Sequence, residues 1–309
     1  MIPNPKNSCA GNFSDWLEVH LIDKCNAHCA WCVEKDGYHP KRHVSWRRIA
    51  NKIIGHDATN IILLGGEPTL YKDLKPLITA LNNTNKKVWI TTNGSLLTPE
   101  FIKKNSLSGI EGINISIHHY DLKLNEIITG VSLENLLPAM GKLQNVRFNC
   151  NCISGAIDSV TKIFNYIEFA RISGANRVRF AELKNDTHRF VDLAKLFEHQ
   201  YGLNDDPFIE GCNNDVKIRG FDVNFRQMCG LQTPLRPNPI DPQQITKKVL
   251  YYDGQFYDGW QKETKMEDKE LIKILEDVAS GKKSVAEAAL LIDRKNQPTV
   301  IESTGGCQY

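Results

Sequence analysis

The sequence predicts an α/β fold: a partial (β/α)6 parallel barrel followed by a small α+β C-terminal extension. Two observations predict it. Six strand-like segments alternate with helix-like segments over roughly residues 16–200, which implies right-handed βαβ units and a parallel sheet. The second of these, residues 61–64, is almost wholly apolar, as a strand covered on both faces requires. Six units make an open barrel with a lateral mouth rather than a closed eight-stranded one.

The elements follow in order. Residues 1–14 read as an N-terminal arm holding Cys9, residues 15–203 as the barrel core, and residues 204–309 as an extension covering the site. Residues 16–22 alternate and read as the first strand. Residues 36–43 have loop composition, and Ser45 is an N-cap for a helix to about Ile54. Strands are expected at 61–64, 88–92, 112–118, 146–153 and 177–183, and helices at 73–81, from Pro99, 132–143, 159–172 and 189–199. In the extension, residues 216–225 look like strand material and residues 249–260 like a hairpin around Asp253-Gly254. Residues 267–293 read as two helices broken near Gly281, and the tail from 296 as irregular.

Composition narrows the class. The chain has 309 residues, 41% hydrophobic and 24% charged, with a net charge of +2, so no electrostatic case exists for nucleic acid or an anionic membrane. No apolar run is long enough to span a bilayer, and the N-terminus lacks a signal-peptide core, so a cytoplasmic location is expected. Only about fifteen residues precede the first strand. On that reading no N-terminal peptide-recognition domain is expected, and a small-molecule substrate is expected over a peptide. Nine cysteines, three of them clustered, point to metal use in a reducing compartment.

The cluster is Cys25, Cys29 and Cys32, a C-x3-C-x2-C run at the end of the first strand. Three thiolates in a short loop suit a soft metal. A structural zinc site completed by His20, His28 or His39 is one option, and an iron–sulfur cluster with one open iron is the other. Gly65-Gly66-Glu67-Pro68 follows the second strand, and Thr91-Thr92-Asn93-Gly94 ends the third. Glycines at such a turn let backbone approach closely, and Glu67 can accept from an ammonium group.

The three motifs, in this order and each at a strand end, resemble the radical S-adenosylmethionine (radical SAM) superfamily. The resemblance is closest to the branch holding the GTP cyclase of molybdenum-cofactor biosynthesis. It covers about two-thirds of the chain. It implies one [4Fe–4S] cluster on Cys25, Cys29 and Cys32, with S-adenosylmethionine on the open iron. One electron from the reduced cluster would split the cofactor to a 5′-deoxyadenosyl radical that abstracts hydrogen from a nucleotide, sugar or cofactor-precursor substrate. A flavodoxin- or ferredoxin-type donor is implied as the electron source. Cross-linking or epimerising a peptide is the alternative activity. A non-catalytic iron–sulfur or zinc protein is the alternative of another class.

The resemblance also implies cofactor contacts. Gly65, Gly66 and Glu67 would hold the methionyl amino group, and Trp31 would pack near the adenine, a role compatible with core packing. Thr92, Asn93 and Ser116 would line the cofactor space. Asn151 and Ile153 lie in a segment resembling the family's GxIxGxxE adenine motif, with Asn and Asp at its ends; an N-cap at Asp158 or Ser159 explains part of it equally well. Residues 178–183 resemble the cyclase's sixth strand, from which Arg179 or Glu182 would reach a ligand; a salt-bridged strand end is the plain alternative. Glu18, His20 and His118 are substrate or proton-transfer candidates if their faces line the lumen, or else satisfied core groups. The C-terminal Gly305-Gly306 resembles the double glycine that enters that cyclase's site, which would bring Cys307 to the radical. Cys212 and Cys229 cannot complete a second cubane, so one cluster is expected.

Overall fold

The computed structural model describes residues 15–183, 186–198, 213–227, 248–262, 268–295 and 299–300. Its backbone is a ten-stranded sheet whose centre is the predicted barrel wall. Strands β1 (Trp16–His20), β2 (Asn60–Leu64), β3 (Lys87–Thr92), β4 (Gly112–Ser116), β5 (Val146–Asn151) and β6 (Arg177–Ala181) lie side by side in chain order, all parallel. Helices α1 (Trp46–Ile54), α2 (Leu74–Asn82), α3 (Pro99–Lys104), α4 (Leu122–Thr129), α5 (Leu136–Ala139) and α6 (Val160–Ile172) fill the crossovers.

The outer face of the sheet and the inner faces of the helices share one apolar core. Ile61 and Leu63 of β2, Ile113 and Ile115 of β4, and Val178 and Phe180 of β6 are fully buried in it, beside Ile49, Leu77 and Ile163 from the helices. Each such side chain contributes about 1.5–3 kcal/mol by leaving water. Alternation sends the other residues of each strand to the opposite face. On β2 that inner face is still apolar: Ile62 and Leu64 meet Trp89, Trp16 and Trp260. On β4, β5 and β6 it is polar, and there the lumen widens.

The extension does not form a layer of its own, because its strands continue the barrel wall at both edges. After α7 (Leu193–Glu198), β7 (Asn213–Ile218) and β8 (Phe221–Arg226) form a hairpin whose β8 is parallel to β6. On the far edge, β9 (Lys248–Leu250) runs parallel to β1 and pairs with β10 (Phe256–Asp258). The short β11 (Gln261–Lys262) and β12 (Thr299–Val300) pair separately, and α8 (Asp268–Ala279) and α9 (Val285–Lys295) form the expected helix pair.

Four local expectations are corrected. The helix expected at 132–143 is only α5 plus a turn of 3-10 helix; Pro138 lacks an N–H and its ring blocks the preceding turn. A helix not expected, α4, forms between Asp121, whose carboxylate accepts from the Lys123 and Leu124 N–H groups, and Gly130 at φ 77°. Residues 216–225, expected as strand material, are strand on both sides of a hairpin turn at Arg219 and Gly220, which both take positive φ, at 50° and 79°. Residues 189–192 precede rather than begin α7. The tail, expected to be irregular, contributes β12.

Candidate active site

The loop after β1 carries the three cysteines, and three neighbours hold it in place. The Gly66 N–H donates to the Ile22 carbonyl at 2.7 Å and the Glu67 N–H to the Lys24 carbonyl at 2.8 Å. The Asn93 side-chain amide donates to Asn26 Oδ1 at 2.8 Å, and that of Asn26 to Ser95 Oγ at 2.9 Å. The His28 N–H donates to the Thr129 carbonyl at 2.7 Å, at the end of α4. The Gly-Gly-Glu turn, the Thr-Asn-Gly turn and α4 therefore clamp one loop.

The two glycines act on that loop rather than on open space. A Cβ on Gly66 would sit 2.3 Å from the Lys24 carbonyl oxygen, and one on Gly65 2.5 Å from that of Ile22. Both partners are backbone and cannot swing away. Gly66→Ala is expected to cost roughly 1–3 kcal/mol and to displace the cysteine loop. Lower iron retention after reconstitution together with a lower Tm would show it.

Glu67 is 1% exposed, and its carboxylate is filled from within. Oε1 accepts from the Thr69 N–H at 3.0 Å, the Thr69 hydroxyl at 2.5 Å and the Thr92 hydroxyl at 2.6 Å; Oε2 accepts from the Asn93 N–H at 2.7 Å. Burial pushes its carboxyl up, and these donors oppose the shift. Glu67 thus ties the β2 and β3 turns together, while backbone and side chains around it line the cavity.

That cavity measures about 330 Å3 and lies inside the barrel at the C-terminal ends of the strands. Of the residues singled out in the sequence, Cys25, Cys29, Trp31, Cys32, Gly65, Gly66, Glu67, Thr92, Asn93, Ser116, His118, Asn151, Arg179 and Glu182 all line it. The three thiols are pushed up chiefly by burial, Cys29 to about 11, with repulsion from the other two cysteines added. Among the described residues no three His, Cys, Asp or Glu side chains converge as a single metal ion would need. A cubane gives each thiolate its own iron, so three thiols spread around one cavity fit it.

On the far side of the cavity, Trp31 packs with Ile153, Ala156 and Leu183, and its ring meets His118 edge-on at 5.1 Å. Ile153 lies behind Trp31 in that apolar cluster. His118 Nδ1 accepts from the Asn151 N–H at 3.1 Å, so the neutral ring carries its proton on Nε2. Burial pulls its pKa down to about 4 from 6.5. The unfolded chain takes up this proton first, so stability is full above pH 6.5 and falls as pH drops towards 4. The loss approaches ~3 kcal/mol, at 1.36 kcal/mol per pH unit. In His118→Gln the decline of Tm between pH 6.5 and 4.5 is expected to be shallower.

Glu18 and His20 sit apart from the cavity, under the extension. Trp260 Nε1 donates to Glu18 Oε2, and His20 stacks on Tyr251 at 4.4 Å, meets Trp260 edge-on at 4.7 Å and lies 3.4 Å from Glu34. Glu182 Oε1 accepts from the Leu193 N–H at 2.9 Å, at the start of α7. Cys307, Gly305, Gly306, Cys9, Cys212 and Cys229 lie outside the described residues. Asn26, Ser95, Asn149, Arg147, Arg226 and Trp260 belong to the site or its supports without having been singled out. The alternation in residues 146–151 was the signal available for Arg147 and Asn149. Arg226 and Trp260 lie in the extension, where the sequence shows no motif.

Comparison with known proteins agrees with this geometry. Residues 19–158 match the model of the radical SAM superfamily. The GTP 3′,8-cyclase of Campylobacter jejuni is 26% identical over 197 residues, 60% of this chain and 61% of that protein. The chain thus spans about three-fifths of that relative's length. A probable GTP 3′,8-cyclase of Sulfolobus acidocaldarius is 28% identical over 256 residues, 77% of this chain and 79% of that protein. Among solved structures, Streptococcus suis SuiB bound to S-adenosylmethionine superposes with a TM-score of 0.56 at 20% identity, covering 79% of this chain and 60% of that one, and so shares the fold. The chain therefore carries a radical SAM domain, which runs from within β1 to just past β5 and contains all three cysteines of the clamped loop.

Proposed function

We propose that this chain is a radical SAM enzyme acting on a small-molecule substrate of the nucleotide, sugar or cofactor-precursor kind. The observation that carries the proposal is the shared cavity: the three cysteines, the Gly-Gly-Glu turn, Thr92, Asn93, Ser116 and the polar lumen all line one space. Cys25, Cys29 and Cys32 would hold one [4Fe–4S] cluster. The backbone at Gly65-Gly66, with Asn93 and Ser116, would bind S-adenosylmethionine beside it, and Trp31 and His118 would flank its adenosyl end. When bound, the cluster and cofactor supply one-electron reductive cleavage and hydrogen abstraction. The protein's part is to fix the loop, exclude water and present the substrate from the lumen. The cyclase relatives, whose name specifies GTP, support a nucleotide-sized substrate. Under this proposal a flavodoxin or ferredoxin supplies the electron.

The test is anaerobic reconstitution followed by assay with S-adenosylmethionine and dithionite. About four irons per chain and reductant-dependent 5′-deoxyadenosine support the proposal. Zinc in place of iron, or no 5′-deoxyadenosine with the iron in place, rejects it. About eight irons rejects the single cluster alone.

A further inference from the structure

The cavity has two aromatic stations, and the cofactor as placed above would occupy one of them. Trp31 packs with Ile153, Ala156 and Leu183, beyond the ends of β5 and β6, and meets His118 edge-on. Trp260 belongs to a separate apolar cluster with Ile62, Leu64, Trp89 and Trp16, on the inner face of β1, β2 and β3. Both tryptophans line the same space as the cysteines. Trp260 comes from the extension, two residues past the end of β10.

The barrel wall sets the orientation of this ring. Trp260 Nε1 donates to Glu18 Oε2 on β1, and His20 stands at 83° to the ring with centroids 4.7 Å apart. Register places Glu18 beside Ile62 and His20 beside Leu64. A ring bonded at Glu18 and packed on Ile62 and Leu64 therefore lies across β1 and β2. Its bonded edge and its back are closed, since Glu18 and Ile62 are each 1% exposed. Trp260 itself is only half-buried, and the surface it keeps open lines the cavity. Its N–H, the one donor an indole has, is spent on Glu18. What remains is a flat π surface, fixed before any ligand arrives, so binding to it orders little.

We propose that Trp260 is the stacking platform for a planar heteroaromatic ring of the substrate, of the nucleobase kind; this rests on the reading above that the lumen presents the substrate. Two features select that chemistry over a sugar ring or an aliphatic chain. A sugar is held by hydrogen bonds to its hydroxyls, and beside Trp260 the wall offers the side chains of Ile62 and Leu64, with the indole N–H already committed. An aliphatic chain suits that wall but not the rest of the space, which Thr91, Asn93, Ser116, Asn149 and Asn151 also line. A heteroaromatic ring has apolar faces and hydrogen-bonding edges, so it meets the tryptophan with one and the amides and hydroxyls with the other.

The test is calorimetric binding of guanosine and adenosine, beside ribose, to the reconstituted holoenzyme without reductant. Saturating S-adenosylmethionine keeps the probes out of the cofactor's place. The tighter nucleoside is expected to bind at least about tenfold more strongly than ribose. Trp260→Leu is expected to weaken it about ten- to a hundredfold, the worth of one base–aromatic stack, while Trp260→Phe, which keeps a ring without the N–H, stays within about threefold of wild type. An unchanged Kd in Trp260→Leu, ribose binding as tightly as the nucleosides, or no nucleoside binding overturns the platform. So does an equal loss in Trp260→Phe, which would assign the effect to the bond with Glu18. Should Trp260→Leu fail to fold, photolabelling of the wild type with the 8-azido derivative of the tighter nucleoside decides: label on the Trp260 peptide that the parent nucleoside displaces supports the platform, and label confined to other peptides overturns it. Binding needs no turnover. A wild type that binds a nucleoside but makes no 5′-deoxyadenosine sinks the radical chemistry alone, and the converse sinks the platform alone.

Discussion

Replacing Cys25, Cys29 and Cys32 together with alanine is expected to remove all the iron and all 5′-deoxyadenosine formation, a loss of at least a thousandfold, on the order of 4 kcal/mol in the barrier. The fold should survive. The loop is held by backbone and amide contacts at Gly66, Glu67, Asn93 and His28, none of which uses a cysteine sulfur. Removing the three thiols also removes the mutual repulsion that adds to burial in pushing Cys29 up to about 11. Iron and sulfide analysis, a thermal melt and the cleavage assay on one sample check this. Iron retained at the wild-type level in the variant would mean that the cluster sits elsewhere in the chain.

Glu67→Ala is expected to be the most destabilising single change in the site. It strands four donors at once: the Thr69 N–H and hydroxyl, the Thr92 hydroxyl and the Asn93 N–H, all around a carboxylate that is 1% exposed. A buried donor without a partner costs about 1–3 kcal/mol, and with water entering the gap a total near 3–4 kcal/mol is expected. Tm should drop roughly 6–12 °C. Because Asn93 also holds Asn26, the cysteine loop should loosen as well, so cluster retention should fall with Tm. Glu67→Gln keeps the acceptor Oε1 and should lose about half as much. A Glu67→Ala protein that melts like wild type but no longer binds S-adenosylmethionine would instead assign Glu67 to the cofactor's ammonium group.

Local chemistry is what made the first half of the chain readable. The period of two in β4 and β5, the apolar run of β2 and the glycine turns are each decided by neighbours in sequence, because backbone sterics and alternation act over a few residues. The cysteine spacing likewise names a soft-metal loop without any knowledge of what surrounds it. The misjudged elements were local too, and they turned on Pro138, whose missing N–H overrides a good periodic pattern, and on the Asp121 cap and Gly130 that bound α4.

The tertiary structure decided everything that needs two distant segments. Glu67 was legible as an acceptor for an ammonium group, but that the turn donors of β3 arrive from 25 residues away to bond its carboxylate was not. Glu18 and His20 looked like lumen candidates, but Trp260, 242 residues on from Glu18, covers them from the extension. Arg226 joins the lumen because β8 extends the wall beyond β6, a pairing that no pattern within β8 specifies. By itself the sequence determined the parallel α/β core, the order of its strands and the cysteine loop at the end of β1. Only the fold decided which polar side chains are spent on one another and which still face the cavity, because a hydrogen bond is settled by distance in space and not by spacing along the chain.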